Sequence, residues 1–162
     1  MISGIVVEQR QSPSRPGFLD TLLVTDNSHI VFACPCRSGP NWRTPWSKGG
    51  RPWQLAYDWI APCPPGESYR FEAVKHHRYG LCVLINGGGE VPSQNPVPNG
   101  DGTTFRGVFI HEAQCPRWAP LWPGSAGCVT LQPVFMAAFR KMLRRGDTGP
   151  LVVVDKREGN HE

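Results

Sequence analysis

No apolar stretch in these 162 residues approaches the ~18 that a membrane-crossing helix requires, so a helical span is excluded. The opening MISGIVVEQRQSPSRPG lacks the charged start, extended apolar core and small-residue cleavage site of a secretory leader. Charged residues make up only 19% of the chain and the formal net charge is +4. No basic stripe with interleaved aromatics stands out, which argues against nucleic acid as a partner. Gly87-Gly88-Gly89 is not followed by Gly-Lys-Ser/Thr, so it reads as a connector and not as a phosphate cradle. Cys34-Pro-Cys36 is spaced too tightly for the usual zinc pair and no second pair follows. A structural zinc site would have to recruit His76 or His77; the expectation is that the protein holds no metal and no cofactor. Without a leader, the six cysteines at positions 34, 36, 63, 82, 115 and 128 do not establish a disulfide framework. Internal repeats and low-complexity tracts are also missing.

Turn formers and short apolar runs are plentiful. Glycine (18) and proline (17) together exceed a fifth of the residues, and 40% are hydrophobic. This composition suits one globular, β-rich domain with many turns. Residues 5–7, 19–25 and 29–34 read as strands, the last two joined into a hairpin by Asp26-Asn27-Ser28. Residues 69–74 alternate as a half-buried strand should, and 81–85 form a continuous apolar strand. Long irregular loops are expected over 37–51 and 86–104. The one helix is expected over 133–145, with Pro133 in its first turn, Phe135, Ala138, Phe139 and Met142 recurring at helical spacing, and Gly146 as its cap. A final strand covers 151–154, and the charged residues from Asp155 onward read as a frayed tail.

The chemistry concentrates in FRGVFIHEAQCPRWAPLWPGSAGCVTL, residues 105–131. An apolar strand over 108–110 ends on His111, and Cys128 opens a second apolar run seventeen positions later. A thiol attacks as its thiolate, and a neighbouring imidazole is the commonest acceptor for its proton. Two paired strands would bring these side chains together across the loop between them. Gly127 lets the backbone approach a ligand closely, and the amides of Gly127 and Cys128 are candidate oxyanion donors. Ser125 shapes the turn or donates to a substrate. Arg106 is a candidate for bidentate contact with a substrate carboxylate. Trp118 and Trp122, between the pair in sequence, are candidate substrate-stacking residues.

This segment resembles the L,D-transpeptidase catalytic domain, which carries a His at a strand end and then Ser/Thr-His-Gly-Cys after a loop. The matching positions are His111, Ser125, Gly127 and Cys128. Upstream, Pro64-Pro65-Gly66-Glu67-Ser68-Tyr69 is similar to the family's Thr-Pro-x-Gly-x-Tyr-like segment. The likeness covers about the last two thirds of the chain and is sharp only over 105–131. Ala126 stands where His is usual, and Glu112 where Gly is common. The Ser-Ala-Gly-Cys form is more like divergent members, among them toxins that interbacterial secretion systems inject into the periplasm of rivals.

The resemblance implies a mainly β domain, a sandwich or mixed sheets with one short helix near the C-terminus, over residues 1–162 with its core at about 19–155. It implies a Cys128 thioester formed on peptidoglycan stem peptides, with His111 as base, oriented by a backbone carbonyl in place of an Asp. It also implies action at the cell wall, in the periplasm, after non-classical delivery. A secretion apparatus and an immunity protein are the further partners such a role would bring. A mild positive charge suits an anionic polymer such as the cell wall. A second reading is a non-enzymatic β module that grips a glycan through loop tryptophans, with Cys128 and His111 as ordinary core residues.

Overall fold

The computed structural model describes residues 1–10, 17–39, 60–93, 104–113 and 128–157. The chain is mainly β with one short helix near its C-terminus. Eight strands make one mixed sheet: β1 (Gly4–Gln9), β2 (Asp20–Asp26), β3 (His29–Cys36), β4 (Tyr69–His76), β5 (Gly80–Ile85), β8 (Phe109–Glu112), β9 (Val129–Leu131) and β10 (Thr148–Asp155). Their spatial order is β3-β2-β1-β10-β4-β5-β8-β9. The two-residue strands β6 (Val91–Pro92) and β7 (Thr104–Phe105) form a separate ribbon.

Period-two alternation builds the sheet. Ile5, Val7, Leu22, Val24, Phe71, Ala73, Val83, Ile85, Leu151 and Val153 are all at most 1% exposed, and the registers set them on one face. Burial of this face against itself and the helix is the main stabilising term. The β2–β3 hairpin turns at Asn27 and Ser28, both with positive φ, as the primed hairpin turns demand. The outer strands also meet. Arg37 N–H donates to the Thr130 carbonyl at 2.9 Å and Thr130 N–H to the Arg37 carbonyl at 2.8 Å. This bridge from the end of β3 to β9 curls the sheet back on itself and covers edges that would otherwise stay open.

β10 pairs parallel with β1 and antiparallel with β4, so it joins the β1–β3 meander to the remaining strands. Gly149 within it has no space for a side chain. A Cβ there would stand 2.9 Å from the Ser3 carbonyl and 2.8 Å from the Phe71 ring. Gly149→Ala is therefore expected to destabilise the protein by about 1–3 kcal/mol, read as a lowered melting temperature with the fold's circular dichroism unchanged at 20 °C.

Expectations for the helix, for its cap and for one loop are corrected. The helix α1 spans Pro133–Arg140, shorter than 133–145, with Pro133 in its first turn as anticipated. Met142 N–H bonds the Phe139 carbonyl three residues back, a tightened closing turn. Gly146 (φ 92) does not cap the helix; its N–H bonds the Ala73 carbonyl and turns the chain into β10. The buried face is Met136, Phe139 and, beyond the helix, Leu143, while Phe135 and Met142 are only half-buried. Phe139 stacks on Phe32 of β3 with centroids 6.2 Å apart, which anchors the helix. The loop expected over 86–104 is not wholly irregular: it starts with a 3-10 turn at Asn86–Gly88 and contains β6 and an Ile60–Ser93 bridge.

Candidate active site

His111 lies inside β8 and not at its end, because the strand continues through Glu112. β8 and β9 pair in parallel, with Ile110 beside Val129 and His111 beside Thr130. Carried one residue back, this register sets Cys128 beside Phe109. Alternation then sends the side chains of Phe109, His111, Cys128 and Thr130 to one face, opposite the Val83–Ile110–Val129 face. Cys128 and His111 are thus diagonal neighbours on adjacent strands.

The thiol is half-exposed and sits among backbone groups. Phe109 N–H donates to Sγ at 3.4 Å, and Sγ lies 3.8 Å from the Gly107 carbonyl. Gly107 has φ +66, a left-handed conformation that turns its carbonyl to the sulfur. An amide N–H aimed at sulfur favours the thiolate.

His111 is 2% exposed. Its Nδ1 lies 2.7 Å from the Glu112 carbonyl oxygen. A carbonyl only accepts, so Nδ1 carries the proton and donates, leaving the Nε2 lone pair as the base. Burial pushes the imidazole down to about 4; the Arg78 cation and the neighbouring His76 push the same way, and the carbonyl and carboxylate of Glu112 oppose them only in part. The ring is therefore neutral at physiological pH.

Aromatic rings wall the imidazole. Tyr79 stacks on His111 with centroids 4.0 Å apart and planes 12° from parallel. His76 stacks on the far side of Tyr79 at 4.6 Å, and Phe109 meets both His76 and Tyr79 edge-on. The turn that carries Tyr79 is held by His76, whose Nδ1 accepts the N–H groups of Arg78 and Tyr79 at 3.1 and 3.3 Å. Burial raises the Tyr79 phenol above its ordinary range, as does the Cys128 sulfur when charged, so the hydroxyl keeps its proton. Arg140 of α1 ties the wall together through Glu112 and the carbonyls of Tyr79 and Leu81.

Cys82 extends the same face from β5, in register with His111. It is fully buried, and burial holds its thiol up at about 11. Cys34 is likewise raised to about 12 and Cys36 well above the ordinary thiol range by burial. Cys63 is engaged by Val153 N–H at 3.3 Å. Of the described cysteines, Cys128 alone combines partial exposure with a place on the His111 face.

Arg106 is exposed and paired with Glu90 at 3.0 Å. Gly127, Ser125, Trp118 and Trp122 lie outside the described residues, as does Cys115. No group of three or more His, Cys, Asp or Glu converges as metal ligands among the described residues. Among these residues, too, no helix is long and apolar enough to cross a membrane. Tyr79 and Arg140 are absent from the sequence reading, and the orienting backbone carbonyl expected there is that of Glu112. The only hint of Tyr79 was its place in a His-His-Arg-Tyr-Gly turn, 76–80.

No family model matches the sequence, and no curated protein matches it. Solved structures with a similar chain path are L,D-transpeptidases. Ldtfm as its avibactam carbamoyl enzyme aligns with 99% of this chain and 50% of its own, at 15% identity and TM-score 0.45. The L,D-transpeptidase (Yku) of Stackebrandtia nassauensis aligns over 98% and 58%, at 19% identity and TM-score 0.42. L,D-transpeptidase 1 of Mycobacterium tuberculosis aligns over 93% and 62%, at 15% identity and TM-score 0.37. The chain thus spans about half to three fifths of the length of these proteins.

Proposed function

We propose that this domain performs cysteine-dependent acyl transfer on peptidoglycan stem peptides, with Cys128 as nucleophile and His111 as base. The observation that supports this most is the parallel β8–β9 register, through which a half-exposed thiol and a neutral imidazole share one face. The His111-to-Cys128 segment, with Ser125 and Gly127, adds the sequence resemblance. Nε2 takes the thiol proton, and Sγ bonds to the carbonyl carbon of the scissile peptide. The tetrahedral intermediate collapses to a thioester as the C–N bond breaks, and His111 returns its proton to the leaving amine. An incoming amine then gives exchange or a cross-link, and water gives hydrolysis.

The donors proposed for the oxyanion are the amides of Gly127 and Cys128; one such donor typically accounts for ~3 kcal/mol of the barrier. Ser125, Trp118 and Trp122 are proposed to line the substrate. Arg106 would bind a stem-peptide carboxylate by releasing Glu90. Action in the periplasm after non-classical delivery, as in injected toxins with a cognate immunity protein, is part of the same proposal.

The test is incubation with a disaccharide-tetrapeptide, followed by mass spectrometry of protein and product. The expected result is a thioester adduct on Cys128, with loss or exchange of the terminal amino acid. Unchanged substrate and unmodified protein at millimolar muropeptide would reject the reading.

A further inference from the structure

Resting on that reading, we propose that Arg140 is a positioning residue for His111: one guanidinium fixes both the strand segment that orients the imidazole and the turn whose ring stacks on it. Its Nη1 donates to Glu112 Oε2 at 2.9 Å, its Nη2 to the Tyr79 carbonyl at 2.9 Å and its Nε to the Leu81 carbonyl at 3.2 Å. These partners belong to β8 and to the β4–β5 hairpin (Tyr79 in its turn, Leu81 in β5), and Arg140 itself sits in the last turn of α1. Three elements therefore meet on one side chain.

His111 is held by two contacts, and Arg140 controls the source of each. Glu112 supplies the carbonyl that accepts Nδ1–H, and Tyr79 supplies the ring against the imidazole face. The Arg140–Glu112 pair is about one-third exposed on each side, and such a pair contributes little stability by itself. Its value is geometric. A planar guanidinium offers donors in fixed directions, which a lysine ammonium cannot reproduce. Without it, Glu112 and the 77–79 turn lose a shared anchor. The imidazole then gains freedom to tilt, admit water and change tautomer.

The readout is His111 itself, followed by nitrogen-15 NMR of the imidazole in the intact protein. In wild type the Nδ1–H signal is expected to be slow to exchange, and the ring to resist protonation down to about pH 4. In Arg140→Gln that signal is expected to broaden or vanish, and the titration midpoint to move up toward the ordinary histidine range. Turnover is expected to fall tenfold or more, within the ~100-fold that a 1 Å misplacement can cost, while thermal melting remains cooperative. Arg140→Lys should restore part of each. A folded Arg140→Gln protein with the wild-type imidazole signal and titration overturns the proposal. Should that variant not fold, Glu112→Gln removes the ion-pair arm alone. The readout there is the Nδ1–H signal, because removing the Glu112 charge by itself lowers the imidazole value: a broadened or lost signal supports the proposal, and a wild-type signal overturns it. The imidazole measurement needs no substrate, so a protein inert on muropeptides sinks the acyl-transfer reading without touching this one.

Discussion

Cys128→Ala is expected to eliminate the proposed turnover on stem peptides, a loss of at least ~10⁴-fold, since removing a nucleophile abolishes the covalent route. The fold survives. Cys128 is half-exposed, and the contacts of its sulfur with the Phe109 amide and the Gly107 carbonyl are long, at 3.4 and 3.8 Å. Losing these and one small atom leaves Val129 and Leu131, both 0% exposed, in place. The melting temperature should therefore stay within a few degrees of wild type, about the shift that ~1 kcal/mol produces. A companion experiment separates the enzyme from a glycan-gripping module. Brief treatment with iodoacetamide near neutral pH should label Cys128 ahead of Cys34, Cys36 and Cys82, whose thiols burial keeps protonated. A Cys128→Ala protein that keeps wild-type turnover would remove the nucleophile assignment. Uniform or absent labelling would favour the module.

Acid is expected to act on the fold through His111. Burial lowers its folded-state value to about 4, against 6.5 for an unperturbed imidazole. Between those values the unfolded chain binds the proton and the folded one does not, so protons favour unfolding. Stability is complete above about pH 6.5 and declines as pH falls toward 4. The total from this residue is on the order of 3 kcal/mol, taking 1.36 kcal/mol for each unit of pKa difference. Urea melts at pH 7, 5.5 and 4 measure it. His111→Gln, which cannot charge, should flatten the wild-type slope in that window; an unchanged slope would mean the ring titrates normally. The same neutrality sets the rate profile. Because the base is lost only when Nε2 takes a proton from solvent, the acidic limb of kcat/KM attributable to His111 should fall near pH 4, not near 6.5.

The strands were legible because their signals are local. Residues 69–74 alternate, and Phe71 and Ala73 are indeed the buried positions. Asp26-Asn27-Ser28 carries turn chemistry, and its residues take the positive φ values a tight hairpin needs. The helix was overdrawn for an equally physical reason. The apolar spacing continues to Met142 and Leu143, but these residues pack from a turn, not from a continued helix. The pairing of the two apolar runs was inferred from their pattern with a loop between, and β8 and β9 do lie side by side. The supports around His111 could not be read that way. The Glu112 carbonyl is backbone, identical at every position in a sequence. Tyr79 and Arg140 are 32 residues before and 29 after His111, and only the tertiary fold brings them together.

The insertion of β10 between β1 and β4 has a consequence for how the molecule is made. A ribosome releases β1, β2 and β3 early, yet the strand that must lie between them and the rest, Thr148–Asp155, emerges last of the ten described strands. Until then β1 and β4 present unpaired backbone along two apolar rims, the condition under which nascent chains cling to one another or to a chaperone. Folding is thus governed by distant pairing and belongs to the slower, topology-limited class. A chain halted before residue 148 would hold the thiol and the imidazole but no closed scaffold to bring them to bear.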